Sequence, residues 1–220
     1  MAFAKDIMGE PDENPQKYIY LCRHGATALN AEHRMRGWDD PDINEEGRKD
    51  AELIAKAVKS IPLDAVFCSS LKRAVTTAEI ITKLPIQKLQ LLKTIDVGAW
   101  TGQKLSVVEP ALNRLETEWE TNPDATAPHG ESWNEFQSRQ IAAWRRIIAA
   151  PGKNILVVCH LRCSVWALCY ALLDMKPIQG TDLRMLDRIT QATGRVTTFS
   201  YSLKDGLGIL TVNAEQPPRP

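Results

Sequence analysis

The sequence predicts an α/β protein, a three-layer sandwich in which a mainly parallel sheet is flanked by helices. Three short runs, 18–22, 65–70 and 154–159, are continuously apolar rather than alternating, as strands buried on both faces are. Amphipathic helical patterns separate them, and strands alternating with helices imply βαβ units. The length, 220 residues, suits one core, so we expect one domain over 17–213 with flexible tails at 1–16 and 214–220.

The first run, Tyr18-Ile19-Tyr20-Leu21-Cys22, delivers Arg23, His24 and Gly25 at its end. Residues 45–61 carry Ala51, Ile54, Val58 and Ile61 on one helical face. Asn44 is the expected N-cap, and Glu45 and Glu46 suit the positive end of the helix. After the second strand, residues 71–83 align Leu71, Ala74, Ala78 and Ile81, with Ser69 or Ser70 as cap and Leu84-Pro85 as the stop. Residues 105–120 form an amphipathic pattern with Val107, Leu112, Leu115 and Trp119 on one side, a face expected to pack as core rather than to line a substrate site. Ser132 and Glu135 have capping-box spacing and open a helix with Phe136, Gln140, Ala143 and Ile147 down one face, ended by Pro151-Gly152. The third strand runs through His160 into a helix at 162–173, and 194–213 alternates around a Gly-containing turn as a hairpin does.

Composition excludes several classes of function. With 27 basic and 27 acidic residues the chain has no general excess for nucleic acid or an anionic membrane surface, so any basic site must be local. Cys22, Cys68, Cys159, Cys163 and Cys169 contain no CxxC pair and fall mostly in apolar runs, which predicts buried reduced thiols rather than a metal site or a disulfide framework. The opening residues lack the basic and apolar regions of a signal peptide, and no stretch is long enough to span a bilayer. A soluble cytoplasmic protein is the expectation.

In open parallel sheets, ligands bind beyond the carboxyl ends of the strands. The residues found there are Arg23 and His24 after the first strand, Ser69, Ser70 and Arg73 after the second, and His160 after the third. Two histidines and two arginines would converge on one sheet edge. Arg73 lies in the first helical turn, where a cation is disfavoured unless an anion shares the site. Phosphate would satisfy both the guanidinium and the free N–H groups of the helix start.

In order along the chain, "RHGATALN" (23–30), "CSSLKRAVTTA" (68–78), "GAWTG" (98–102), "HGES" (129–132) and "VVCH" (157–160) resemble the histidine phosphatase superfamily, which is phosphoglycerate mutase-like in fold. The resemblance runs from about Lys17 to Asn213. It implies that His24 is a nucleophile attacking phosphorus, that a phosphohistidine forms and is hydrolysed by water, and that no metal or other cofactor is required. Arg23, Arg73 and His160 would bind the phosphoryl oxygens and stabilise transition-state charge. Asn30 and Thr27 match positions that help hold the phosphate or its loop. Neighbouring guanidiniums would keep His24 neutral, as a nucleophilic imidazole must be. His33 and His129 lie in polar loop sequence and receive no catalytic role.

The chain departs from the family pattern around the leaving group. Family members that cleave alkyl phosphates carry L-x-E-x-x-x-G-x-W-E-G, whose first Glu protonates the departing oxygen. Here the stretch is "LKTIDVGAWTG" (92–102), with Thr94 and Thr101 in place of the two Glu residues. Asp96 is the first candidate acid and Glu131 the second. His160 is followed by Leu161 and Arg162 instead of two glycines, which makes Arg162 a candidate selector for an acidic group on the substrate. The resulting expectation is a phosphomonoesterase acting on a small phosphorylated metabolite and releasing inorganic phosphate. The alternative is a non-catalytic phospholigand binder on the same scaffold. A phosphoglycerate mutase ranks lower, because 100–130 is short for a substrate-covering insertion. Partners on nucleic acid or membrane are not expected, and the oligomeric state is open.

Overall fold

The computed structural model describes residues 16–218. The expected tail 1–16 therefore lies outside the described residues except for Gln16, as do residues 219 and 220 of the expected tail 214–220. The elements in chain order are β1 (Lys17–Arg23), α1 (Ala28–Ala31), α2 (Glu45–Val58), β2 (Ala65–Ser69), α3 (Lys72–Ile81), β3 (Ile86–Leu89), α4 (Leu105–Glu118), α5 (Trp133–Ala149), β4 (Asn154–Cys159), α6 (Leu161–Leu172), β5 (Val196–Ser202) and β6 (Gly206–Ala214). Short 3₁₀ turns occupy Gln90–Leu92, Gly98–Trp100 and Gly180–Met185.

One six-stranded sheet has the order β3-β2-β4-β1-β5-β6. β3, β2, β4 and β1 run parallel, and β5 and β6 are antiparallel additions at the other edge. The expected three-layer, mainly parallel α/β sandwich and its terminal hairpin are both present. Alternate residues of each central strand face opposite layers. Tyr20, Cys22, Val66, Cys68, Leu156 and Val158 join Ile54, Val58, Ala74 and Ala78 of α2 and α3. Ile19, Leu21, Phe67, Ile155 and Val157 join Phe136, Trp144 and Trp166 of α5 and α6. Continuous apolar strands are the direct consequence of helices on both faces.

Most element expectations hold, including the Asn44 cap, which accepts the Gly47 N–H at 2.9 Å, and the Ser132/Glu135 capping box. Two need correction. Helix α3 is not capped by Ser69 or Ser70: its N-cap is Leu71, and the Lys72 N–H donates instead to Asp40 Oδ1 at 2.6 Å. Ser69 Oγ accepts the Leu71 N–H at 3.3 Å and also faces the site. In α4 the buried stripe is Val108, Leu115 and Trp119, while Val107 is 66% exposed, so the sequence pattern was out of phase by one residue at the start of the helix. All five cysteines are buried and unpaired. Among the described residues, no helix is long and apolar enough to cross a membrane.

Candidate active site

Strand register fixes the site. Arg23 pairs with Cys159, and Cys68 with Val158, so the ends of β1, β2 and β4 lie at one level. The next residues, His24 and His160, have ring centroids 5.1 Å apart, and both are buried. The His24 N–H donates to Cys159 O at 2.9 Å, tying the loop after β1 to the end of β4.

The loop approaches α2 without intervening side chains. A Cβ on Gly25 would lie 2.1 Å from Gly47 O, and one on Gly47 would lie 2.2 Å from Ala26 O, so both positions exclude any side chain. The Gly25 N–H donates to Thr77 Oγ1 at 3.1 Å and the Ala26 N–H to Asp50 Oδ2 at 3.1 Å. Within the loop, Thr27 donates through Oγ1 to Asn30 Oδ1 at 2.8 Å. Asn30 lines the cavity and Thr27 does not, so of the two expected phosphate ligands Thr27 belongs to the loop's scaffold.

His24 Nδ1 lies 2.7 Å from Gly25 O. A carbonyl only accepts, so this nitrogen carries the proton and Nε2 keeps its lone pair. The imidazole is held well below its ordinary pKa, first by burial and then by the Arg73 and Arg23 charges. His160 is shifted the same way, by burial and then by Arg73. His160 Nε2 meets Ser69 Oγ at 2.8 Å, while its Nδ1 is buried without a partner among the described residues.

Arg73 is 1% exposed. Its Nη1 and Nη2 donate to Asp39 O at 2.7 Å and Gly37 O at 3.0 Å, and its Nε has no partner. Arg23 donates through Nη1 to Gln191 O at 3.5 Å and also keeps an unpartnered buried Nε. Burial and then Arg36 lower both guanidiniums to about 10. Buried cationic donors without partners are costly unless an anion fills the site.

His24, Arg73, His160 and Asn30 line a cavity of about 460 Å³. Leu105, Leu112, Leu115 and Trp119 of α4 and its C-cap line the same cavity, together with Val165 and Leu186. The expectation that the α4 face serves only as core is corrected: Leu115 and Trp119 belong both to the core and to the cavity wall.

Thr94, Asp96, Glu131 and Arg162 all line the cavity. Glu131 is gripped by Arg139, with Nε to Oε1 at 2.5 Å and Nη2 to Oε2 at 2.7 Å. Asp96 Oδ1 accepts the Gly98 N–H at 2.9 Å, and its Oδ2 makes no hydrogen bond among the described residues. Arg162 pairs with Glu116 in the cavity wall, so its charge is already matched within the chain. His33 also lines the cavity, whereas His129 does not.

Sequence reasoning missed Arg36, which lines the cavity and acts electrostatically on Arg23, His24, Arg73 and His160. It lies in a stretch without periodicity, and no local signal distinguishes it from a surface arginine. Among the described residues, no group of three or more His, Cys, Asp or Glu side chains is arranged to hold a metal.

Comparison with known proteins agrees with this geometry. "Probable phosphoglycerate mutase GpmB" of Cronobacter sakazakii is 30% identical over 151 residues, covering 64% of this chain and 68% of the relative. "Uncharacterized phosphatase PhoE" of Bacillus subtilis is 31% identical over 146 residues, covering 64% and 70%. Among solved structures, YhfR of Bacillus stearothermophilus superposes with a TM-score of 0.73 at 27% identity over 92% of this chain and 98% of that one. The α-ribazole phosphatase of Shigella flexneri gives 0.74 at 20% identity over 91% and 98%, a likeness of fold. The sequence model of the histidine phosphatase superfamily (branch 1) matches residues 19–206, and the chain belongs to that family.

Proposed function

We propose that the protein is a phosphomonoesterase that hydrolyses a small phosphorylated metabolite through a phosphohistidine on His24. The observation that carries this reading is the Nδ1–H contact to Gly25 O, which leaves a neutral ring with its Nε2 lone pair free among cationic donors. Nε2 attacks phosphorus, the N–P bond forms, and the P–O bond breaks with its electron pair going to the leaving oxygen. Water then attacks the phosphohistidine, the P–N bond breaks, and inorganic phosphate leaves.

Arg23, Arg73 and His160 supply donors for the phosphoryl oxygens. Ser69 can donate its O–H to His160 Nε2, a tautomer that makes the unpartnered Nδ1 an N–H donor. The charge is handled by fixed guanidiniums, so the step needs no metal. Of the two candidate acids, Glu131 is committed to Arg139, and Asp96 keeps Oδ2 for a proton. The apolar α4 wall suits an apolar leaving group, and the pairing of Arg162 with Glu116 argues against Arg162 as a free selector of acidic substrates. The phosphatase names of relatives support the same reading.

The test is hydrolysis of p-nitrophenyl phosphate with chelator present, for wild type and His24→Ala, with a rapid quench to trap an acid-labile phosphoenzyme. We expect wild-type turnover and trapping, and a loss of about 10⁴-fold or more in the variant. Undiminished turnover by His24→Ala overturns the nucleophile. Phosphate binding without any His24-dependent turnover would favour the phospholigand-binding alternative.

A further inference from the structure

We propose that Arg36 is a further catalytic residue, a guanidinium that stabilises the negative charge on the departing oxygen where Thr94 offers no carboxylic acid. The inference rests on the phosphatase reading above.

Three observations carry it. First, the Arg36 guanidinium is half-buried, lines the cavity, and has no hydrogen bond or ion pair to any described residue. The other cavity arginines are all engaged. Arg34 donates to Glu32 Oε2 at 2.8 Å and to Gly102 O at 2.9 Å, Arg162 pairs with Glu116, and Arg73 spends two nitrogens on Gly37 O and Asp39 O. A desolvated guanidinium left unmatched in such a wall is stabilised only when an anion arrives.

Second, the backbone around Arg36 is stitched to the loop that handles the leaving group. The Met35 N–H donates to Gln103 O at 2.9 Å, the Gly102 N–H to Met35 O at 2.8 Å, and Trp38 Nε1 to Thr94 O at 2.8 Å. The Arg36 backbone is therefore held between two anchors on the 94–103 loop, the loop in which the family's pattern carries its proton donor, and Arg36 and Thr94 line the same cavity. Third, the loop itself has lost both carboxylates of that pattern, at Thr94 and Thr101, so negative charge growing on the oxygen needs another sink.

A permanent cation and a proton donor do the same electrostatic work differently. As the P–O bond breaks, its electron pair moves onto oxygen, and Arg36 donates N–H groups to that oxygen without transferring a proton. Protonation is then completed by solvent or by Asp96 after the charge has formed. Such a device favours leaving groups that are acidic enough to depart as anions, which means phenol-like or enol-like phosphate esters over simple alkyl ones.

The decisive measurement is kcat/KM for p-nitrophenyl, phenyl and simple alkyl phosphates, together with 3-phosphoglycerate, for wild type, Arg36→Lys and Arg36→Met. Expected for Arg36→Met is a loss of about threefold or less on the nitrophenyl ester but about 100-fold on the phenyl and alkyl esters. Arg36→Lys retains charge and should fall between. Circular dichroism and phosphate binding check that the variants are folded. An equal loss on every ester, or no loss at all, overturns the proposal, because a phosphoryl ligand or a bystander would behave so. A loss confined to 3-phosphoglycerate also overturns it and makes Arg36 a carboxylate-binding residue. His24→Ala, run alongside, separates the two claims: absence of His24-dependent turnover sinks the phosphatase reading, whereas a uniform Arg36 effect with His24 essential sinks only this inference.

Discussion

Replacing Arg139 with methionine should destabilise the protein by about 4 kcal/mol, because a single guanidinium satisfies five acceptors in a nearly dry place. Its Nε and Nη2 hold both oxygens of Glu131, Nη1 donates to Leu91 O at 2.7 Å and Lys93 O at 2.5 Å, and Nη2 also donates to Thr94 O at 2.8 Å. The two side chains are only 14% and 11% exposed. The Phe136 ring lies under the guanidinium at 4.9 Å. Methionine keeps most of the volume and restores none of the donors. The variant therefore leaves a buried carboxylate unpaired, which typically costs about 3–5 kcal/mol, and strands backbone carbonyls at further cost. For a domain of this size about 4 kcal/mol lowers Tm by roughly 10 °C. Urea titration at neutral pH gives the free energy, and calorimetry gives the midpoint. The double variant Arg139→Met/Glu131→Gln removes the stranded charge and should recover about 1–2 kcal/mol. A single-variant loss below about 1 kcal/mol would mean that this pair behaves like an exposed ion pair. A double variant no more stable than the single one would refute the stranded-charge explanation.

Gly47→Ala forces a methyl against Ala26 O and should cost about 1–3 kcal/mol by overpacking, with kcat falling as much as about 100-fold from displacement of the His24 loop. Wild-type kinetics in that variant would show that the contact does not set the loop. Acidification should weaken the fold below pH 6.5 through His24 and His160. Both are depressed in the native state, so the unfolded chain binds more protons there and stability rises with pH. Their contribution is complete above the unfolded value and is lost as pH falls, at up to about 1.4 kcal/mol per pH unit for each. Urea midpoints of wild type and His24→Gln between pH 5 and 7 test this. Parallel pH dependences would refute the contribution of His24.

What the sequence discloses depends on how far apart the cooperating groups lie. The three central strands were legible because helices cover both faces and leave a continuous apolar record. His24, Arg23, His160 and Arg73 were legible because each directly follows such a strand or opens the next helix. Strand β3 was not, since Ile86–Leu89 is a four-residue edge with two exposed members and no periodicity. The partner of Arg162 sits 46 residues away on another helix, so sequence could present the charge but not its neutralisation. Arg36 was hidden for the same reason. Its setting is made by a segment folding back on the 94–103 loop, and side-chain spacing carries no trace of that contact. Ser69 was read as a helix cap because Ser before a helix usually is one. In the structure the Lys72 N–H donates to Asp40, 32 residues before Lys72.

The Glu116–Arg162 pair also bears on how this scaffold can diverge. Both side chains are mostly buried at the cavity wall, about one fifth exposed, and neither belongs to the phosphoryl end. A single codon change that turned Glu116 into a small neutral residue would leave a guanidinium without its partner in the cavity wall, two positions after His160. The cavity would exchange a neutral wall for a cationic one while His24, its loop and the neighbouring arginines stayed in place. The carboxylate of Glu116 thus sets the charge that this part of the wall presents as much as the arginine it pairs with.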